Sequence, residues 1–330
     1  MLTSVYRVRQ VVTRGETIGA DQFAAKINAI RSSWGEPDGT RTAPNPPFSW
    51  DGHRKLTRRG LVLFSGDLFN PSVESSITRG AHMVPVVNAM NVDVAVLGNH
   101  EWDFGYPHLQ TLLSRTNFPW LFSNVVDASW RNGAPDPPLA PQQQDKQVEA
   151  TLPYYCMEVN GVKVGCIGLV EQEWLDTVPA FPENFEYRDM KATAMGLSKM
   201  LREGPEKCEL IIALTHSRLP NDVHIANELG AVSNADPSSH GVDLVLGGHD
   251  HVYYVGRGVT SFEGNSYDDT MEGSDGDSHT LLIKSGTDFH DLSEIELQLS
   301  QKHDAVRRRT IESVKGAQFA HSSPAPNQAE

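Results

Sequence analysis

Four short polar clusters in this sequence are built from residue types that hold metal ions or move protons. They are Ser65-Gly66-Asp67, Gly98-Asn99-His100-Glu101, Thr215-His216 and Gly247-Gly248-His249-Asp250-His251. Imidazole nitrogen, carboxylate oxygen and amide oxygen, with no thiolate among them, suit borderline or hard divalent cations such as Zn, Mn or Fe and are poor for Cu(I) or an iron–sulfur cluster. Each residue taken singly has an ordinary explanation: Asp67 as a turn or cap residue, Asn99 as part of a Gly-Asn turn, a buried histidine as a hydrogen-bonded core group. Their shared position is what sets them apart, because every cluster follows directly on an apolar run, at 61–64, 94–97, 210–214 and 244–246.

Short, fully apolar runs separated by helical patterns are the signature of strands buried on both faces of a largely parallel sheet. The strand candidates are 5–12, 61–64, 92–97, 162–170, 210–214, 244–246 and 281–284. Between the first two, Phe23, Ala24, Ile27 and Ile30 fall at helical spacing, as do Ala194, Leu197, Met200 and Leu201 between the fourth and fifth. This pattern predicts an α/β sandwich. In open α/β sheets ligands bind outside the carboxyl ends of the strands, so parallel strands would gather Asp67, Asn99, His216, His249 and His251 at one edge. Gly66, Gly98, Gly247 and Gly248 beside them allow sharp turns and close backbone approach. Segments 34–58, 132–147 and 261–279 read as loops. The acidic stretch with Asp268, Asp269, Glu272, Asp275 and Asp277 lacks the spacing of a calcium loop and reads as solvated.

Composition excludes several classes. The 330 residues carry 28 Lys and Arg against 42 Asp and Glu, a formal net charge of −14, which disfavours a general nucleic-acid binder. The basic cluster Arg307-Arg308-Arg309 reads as a solvated face. Cys156, Cys166 and Cys208 are odd in number and lack CxxC spacing, so neither a disulfide framework nor a sulfur-ligated zinc is indicated. No stretch of about 18 consecutive apolar residues occurs, so no membrane span is expected, and a soluble, cytoplasmic setting is the default. A nucleophile elbow, a phosphate loop and an HExxH zinc motif are all missing.

The blocks GDLFNPS, GNHEWDFG, LTHSRLPND and GGHDH, in this order and spacing, resemble the calcineurin-like metallophosphoesterases, in particular the 5'-nucleotidase branch. The resemblance continues through FPWLFSNVVD, KVGCIGLVEQEW and IKSGTDFHDLSEI and covers roughly residues 1–300. It implies a four-layer α/β/β/α sandwich and a metal-dependent phosphoric monoester hydrolase of nucleotide catabolism, in which a metal-activated water attacks the ester. It also implies two divalent ions, drawn from Mn, Zn, Fe or Mg. By the family pattern Asp67 bridges the two ions, Asn99, His216 and His249 complete the second, and His251 serves the first. His100 faces the phosphate with Asp103 holding it, and these two are the expected catalytic pair; Glu101 is expected to be a structural partner. The implied partner is a small-molecule phosphate ester, a nucleoside monophosphate among them, with no nucleic acid and no membrane.

Two departures accompany the resemblance. The family opens with an aspartate and, two residues on, a histidine directed at the first metal, and alignment sets Ser4 and Tyr6 at those positions, neither of them a good ligand. Two alternatives follow: a metal-binding pseudo-phosphatase with a regulatory or interaction role, or a phosphodiesterase. In addition, the family's C-terminal nucleotide-binding domain has no counterpart after the catalytic domain at 1–300, and 301–330 reads as a polar, disordered tail.

Overall fold

The computed structural model describes residues 2–5, 20–34, 53–56, 59–129, 145–264, 271–287 and 291–320. The first half comprises β1 (Leu2–Val5), α1 (Ala20–Ser33), β2 (His53–Leu56), β3 (Leu61–Phe64), α2 (Val73–Thr78), α3 (Met83–Met90), β4 (Val94–Val96), α4 (Tyr106–Leu113), β5 (Trp120–Leu121), β6 (Val125–Asp127) and β7 (Lys146–Gln147). Next come β8 (Tyr155–Val159), β9 (Val162–Val170), α5 (Gln172–Leu175), β10 (Phe185–Tyr187), α6 (Met190–Glu203), β11 (Leu210–His216) and α7 (Leu219–Glu228). The chain continues with β12 (Leu244–Gly247), β13 (Tyr253–Val255), β14 (Ser261–Glu263), β15 (Leu282–Ser285), β16 (Asp291–Leu299) and β17 (Ile311–Ala320).

Two seven-stranded sheets form the centre, in the orders β14-β17-β16-β1-β3-β4-β5 and β13-β15-β12-β11-β9-β8-β2, and a three-stranded sheet, β10-β6-β7, stands beside them. Successive side chains of a strand point to opposite faces, and β11 shows where each face goes. Leu210, Ile212 and Leu214 join one core with Phe64 and Val96 of the first sheet, whereas Ile211 and Ala213 join Ala194 and Leu201 of α6 and Val223 and Ala226 of α7 in another. On the far side of the first sheet, α1 and α3 bring in Phe23, Ile27, Val87 and Met90. The result is four layers, helices outside and two sheets inside, as the resemblance implied. The strands at 61–64 and 162–170 form over those residues, and both expected helices form, as α1 and α6. Of the expected strand 5–12 only Val5 is described, at the end of β1. Among the described residues no helix is long and apolar enough to cross a membrane.

The polar tail is not what the structure shows up to residue 320. Strand β17 pairs antiparallel with β16 from Leu299↔Ile311 to Asp291↔Ala320 and parallel with β14, so the first sheet extends past the expected domain edge. Its polarity hid it: Val314 is buried, but Glu312 and Lys315 near it are exposed. Residues 321–330 lie outside the described residues. Arg307 also departs from the solvated reading. It is fully buried, donating to the Val242 and Leu229 carbonyls at 2.9 and 3.0 Å and pairing with Asp243 at 3.0 Å, whose charge offsets its own. In the acidic stretch, Glu272 and Asp275 are exposed, but Asp277 is buried and accepts from Tyr254 and from the Arg257 and Thr280 amides; Asp268 and Asp269 lie outside the described residues.

Candidate metal centre

Parallel pairing of β3 with β4, and of β9, β11 and β12 with one another, sends their carboxyl ends to the same side of each sheet. The four polar clusters leave from those ends. Asp67 sits in the turn after β3 with φ +64, a left-handed conformation that costs a non-glycine residue free energy. The buried Glu101 carboxylate holds that turn, accepting the Asp67 and Leu68 amides at 2.8 and 2.5 Å and the Gly98 amide at 2.5 Å. One side chain thereby locks the Asp67 loop to the Asn99 loop. Burial, with Asp67 adding, pushes the Glu101 carboxyl up, and the amide bonds oppose that rise. The two loops are in close contact. A Cβ on Gly66 would lie 2.7 Å from the Gly98 nitrogen and 2.8 Å from His216 Nδ1, and one on Gly98 would overlap Asp67 Oδ1 and His216.

Four donor atoms converge here. His216 Nε2 lies 3.3 Å from Asp67 Oδ2 and 3.1 Å from Asn99 Oδ1, and His249 Nδ1 lies 3.0 Å from the same Asn99 oxygen. The ligand atoms of Asp67, His216 and His249 all fall within 4.8 Å of one another. The outer ring nitrogens fix the tautomers. His216 Nδ1 meets the Ser65 carbonyl at 2.7 Å, and His249 Nε2 faces the Glu171 carboxylate at 3.4 Å. With protons on those outer nitrogens, the inner nitrogens present lone pairs to the Asn99 and Asp67 oxygens, so the cluster contains electron donors facing electron donors. A cation resolves that arrangement, and a histidine whose second nitrogen is held by a carbonyl or carboxylate is the usual metal ligand. The other occupant is a proton. Burial disfavours an imidazolium at His216, but Asp67 and the Ser65 carbonyl outweigh it and raise its pKa. Burial and the neighbouring His216 push His249 down to about 3, leaving it a neutral ligand.

His100 lies beside this cluster rather than within it. Its amide donates to Asp67 Oδ1 at 2.9 Å, and its Nδ1 meets Asp103 Oδ2 at 2.6 Å, with the Asn70 amide donating to the same Asp103 oxygen. The ring is partly exposed. His251 is also exposed, at φ +62, and the structure does not bring it into the Asp67–His216–His249 group.

The model of the calcineurin-like phosphoesterase family matches residues 49–253. The chain belongs to that family. Among relatives of this chain, the cell wall protein Lmo0130 of Listeria monocytogenes is 31% identical over 256 residues, covering 72% of this chain and 30% of that protein. The snake venom 5'-nucleotidase of Crotalus adamanteus is 31% identical over 207 residues, covering 62% of this chain and 31% of that protein. The chain thus spans about a third of the length of these relatives. The 5'-nucleotidase precursor of Thermus thermophilus superposes with a TM-score of 0.63 at 17% identity, covering 97% of this chain and 54% of that one. The calcineurin-like phosphoesterase YfkN of Bacillus subtilis gives a TM-score of 0.60 at 19% identity, covering 97% and 90%. These structures share the fold.

Register places Ser4 in the first sheet. Strand β1 lies parallel to β3 with Ser4 opposite Leu63 and Val5 opposite Phe64, so Ser4 sits within the sheet, short of the edge that carries Asp67. The residues beyond Val5, Tyr6 among them, lie outside the described residues.

Sequence reasoning also passed over the residues that brace the ligands. Glu171, immediately after β9, accepts from the Arg218 amide and guanidinium at 3.1 and 2.9 Å and from Asn221 at 2.5 Å, which aims it at His249. Lys284, fully buried at the end of β15, donates to the Ser217 and Gly248 carbonyls and to Asp222, each at 2.7–2.8 Å, and pairs with Asp250 at 2.8 Å. It ties the His216 loop to the His249 loop. Both residues carried a readable signal, a charged residue ending an apolar strand.

Proposed function

We propose that this chain is a metal-dependent phosphoric monoester hydrolase of the 5'-nucleotidase type, with a nucleoside monophosphate or a similar small phosphate ester as substrate. The observation that supports it most is the convergence of Asp67, Asn99, His216 and His249 with the His100–Asp103 pair at the rim. The relatives named 5'-nucleotidase support the substrate class. A divalent cation held by those four side chains supplies positive charge to a phosphoryl oxygen and lowers the pKa of a coordinated water. The protein's own groups do the rest. Asp67 divides its oxygens between the His100 amide and the His216 ring, so metal seat and acid group are positioned by one carboxylate. Asp103 orients His100 through Nδ1, which leaves Nε2 to face negative charge on the phosphoryl group and to donate a proton to the departing alcohol as the P–O bond breaks.

The test is metal content with phosphate release from nucleoside monophosphates and from an aryl phosphate. Asp67→Ala and His249→Ala should each lose a tightly held ion and the activity with it. His100→Ala should keep the ion and lose ~10²-fold or more in turnover. Unchanged metal content in the first two would reject the assignment of the seat.

A further inference from the structure

Cys156 lies on β8, and Cys208 stands two residues before β11. Between those strands runs β9. Neighbouring strands are about 4.8 Å apart, so side chains two strands away are ordinarily separated by the residue on the strand between them. Here that residue is Gly165, paired with Cys156 on one side and Ile211 on the other. A Cβ at Gly165 would sit 3.2 Å from Cys208 Sγ; without one, the two sulfurs meet over the glycine at 3.7 Å. Both cysteines are buried in the layer between the second sheet and its helices.

We propose that Cys156 and Cys208 are a disulfide-forming pair that staples β8 to the start of β11 across Gly165 when an oxidising low-molecular-weight disulfide is present. The sulfurs need only close from contact to a bond of about 2 Å. The contact with Cys156 lowers the Cys208 thiol against the opposing effect of burial, with Arg202 and Lys163 helping. When the layer over the pair opens locally, Cys208 attacks a sulfur of oxidised glutathione, breaking its S–S bond and releasing one glutathione thiolate. Cys156, losing its proton, then attacks the Cys208 sulfur of the mixed disulfide and expels the second glutathione. Two protons and two electrons leave the protein, and one oxidised glutathione becomes two reduced ones. The staple lies at the amino end of β11, whereas His216 ends that strand. It therefore locks the sheet without touching the metal seat.

The full chain is incubated with excess oxidised glutathione, denatured without reductant and alkylated. The expected protein is lighter by two hydrogens, alkylates at Cys166 alone, and melts about 5 °C higher than the reduced form, with unchanged metal content. Cys156→Ser and Cys208→Ser each remove the shift, and Gly165→Ala, which restores the obstructing methyl, slows or blocks bond formation. Three alkylatable thiols in the treated wild-type chain, a persistent glutathione adduct, or a bond to Cys166 would overturn the proposal.

Discussion

Each ligand in this site is held by a second residue that receives its other polar atom: Ser65 for His216, Glu171 for His249, Glu101 for the loop of Asp67. These partners decide whether the inner atoms present lone pairs or protons. Glu171→Gln is the sharpest probe, because the amide keeps the size but loses the charge that holds a proton on His249 Nε2. Metal affinity should fall by about 10–100-fold, the usual effect of removing such a partner. Turnover at saturating metal should stay near the wild-type value, since His100 and Asp103 are untouched. A metal titration followed by competition with a chelator reads the affinity, and an unchanged constant would show that Glu171 serves only Arg218 and Asn221.

At the scale of elements, the sequence reveals most where a strand is buried on both faces. Runs such as 61–64 and 210–214 are apolar throughout, and the polar residue that follows marks the carboxyl edge unmistakably. The grouping of Asp67, His216 and His249 was legible for that reason. The β16–β17 hairpin was not, because a strand covered on one face alternates apolar with charged residues and reads like a polar tail. Register was not legible for a third reason: spacing along one strand says nothing of its alignment against the next, and only the pairing sets Ser4 opposite Leu63. Lys284 belongs to this scale, since one buried ammonium on β15 joins the loops after β11 and β12. Lys284→Met should destabilise the fold by about 3–5 kcal/mol, because Asp222 would be left buried with an uncompensated charge. Lys284→Met with Asp222→Asn should recover part of that loss in denaturant unfolding. No recovery would mean that the carbonyls of Ser217 and Gly248 carry most of the interaction.

At the scale of the whole molecule, the edge that gathers Asp67, His216 and His249 and a set of ion pairs lie at opposite ends of the second sheet. The segment joining β16 to β17 leaves the first sheet and rests against the amino ends of β11 and β12. There Arg309 and Lys302 pair with Glu209 at 2.8 and 3.1 Å, and Arg307 pairs with Asp243. Metal binding loads the carboxyl ends of these strands while this tie secures their beginnings, so the two should be separable by pH and mutation. Burial works against the charged form of Glu209, but Arg309 and Lys302 outweigh it and hold the carboxyl below its ordinary range. A carboxylate with a depressed folded-state pKa contributes stability above its unfolded value of about 4.3 and loses it as pH falls through the folded value. Glu209→Gln should therefore cost about 1–2 kcal/mol at pH 7. The difference from wild type should shrink as pH falls from about 4 through the lower folded value, beneath which both side chains are neutral. Thermal unfolding of both proteins across that range, with metal content measured at pH 7, checks the separation. A gap that persists undiminished at low pH would show that Glu209 acts through packing, and a loss of metal at pH 7 would show that the two ends of the sheet are coupled.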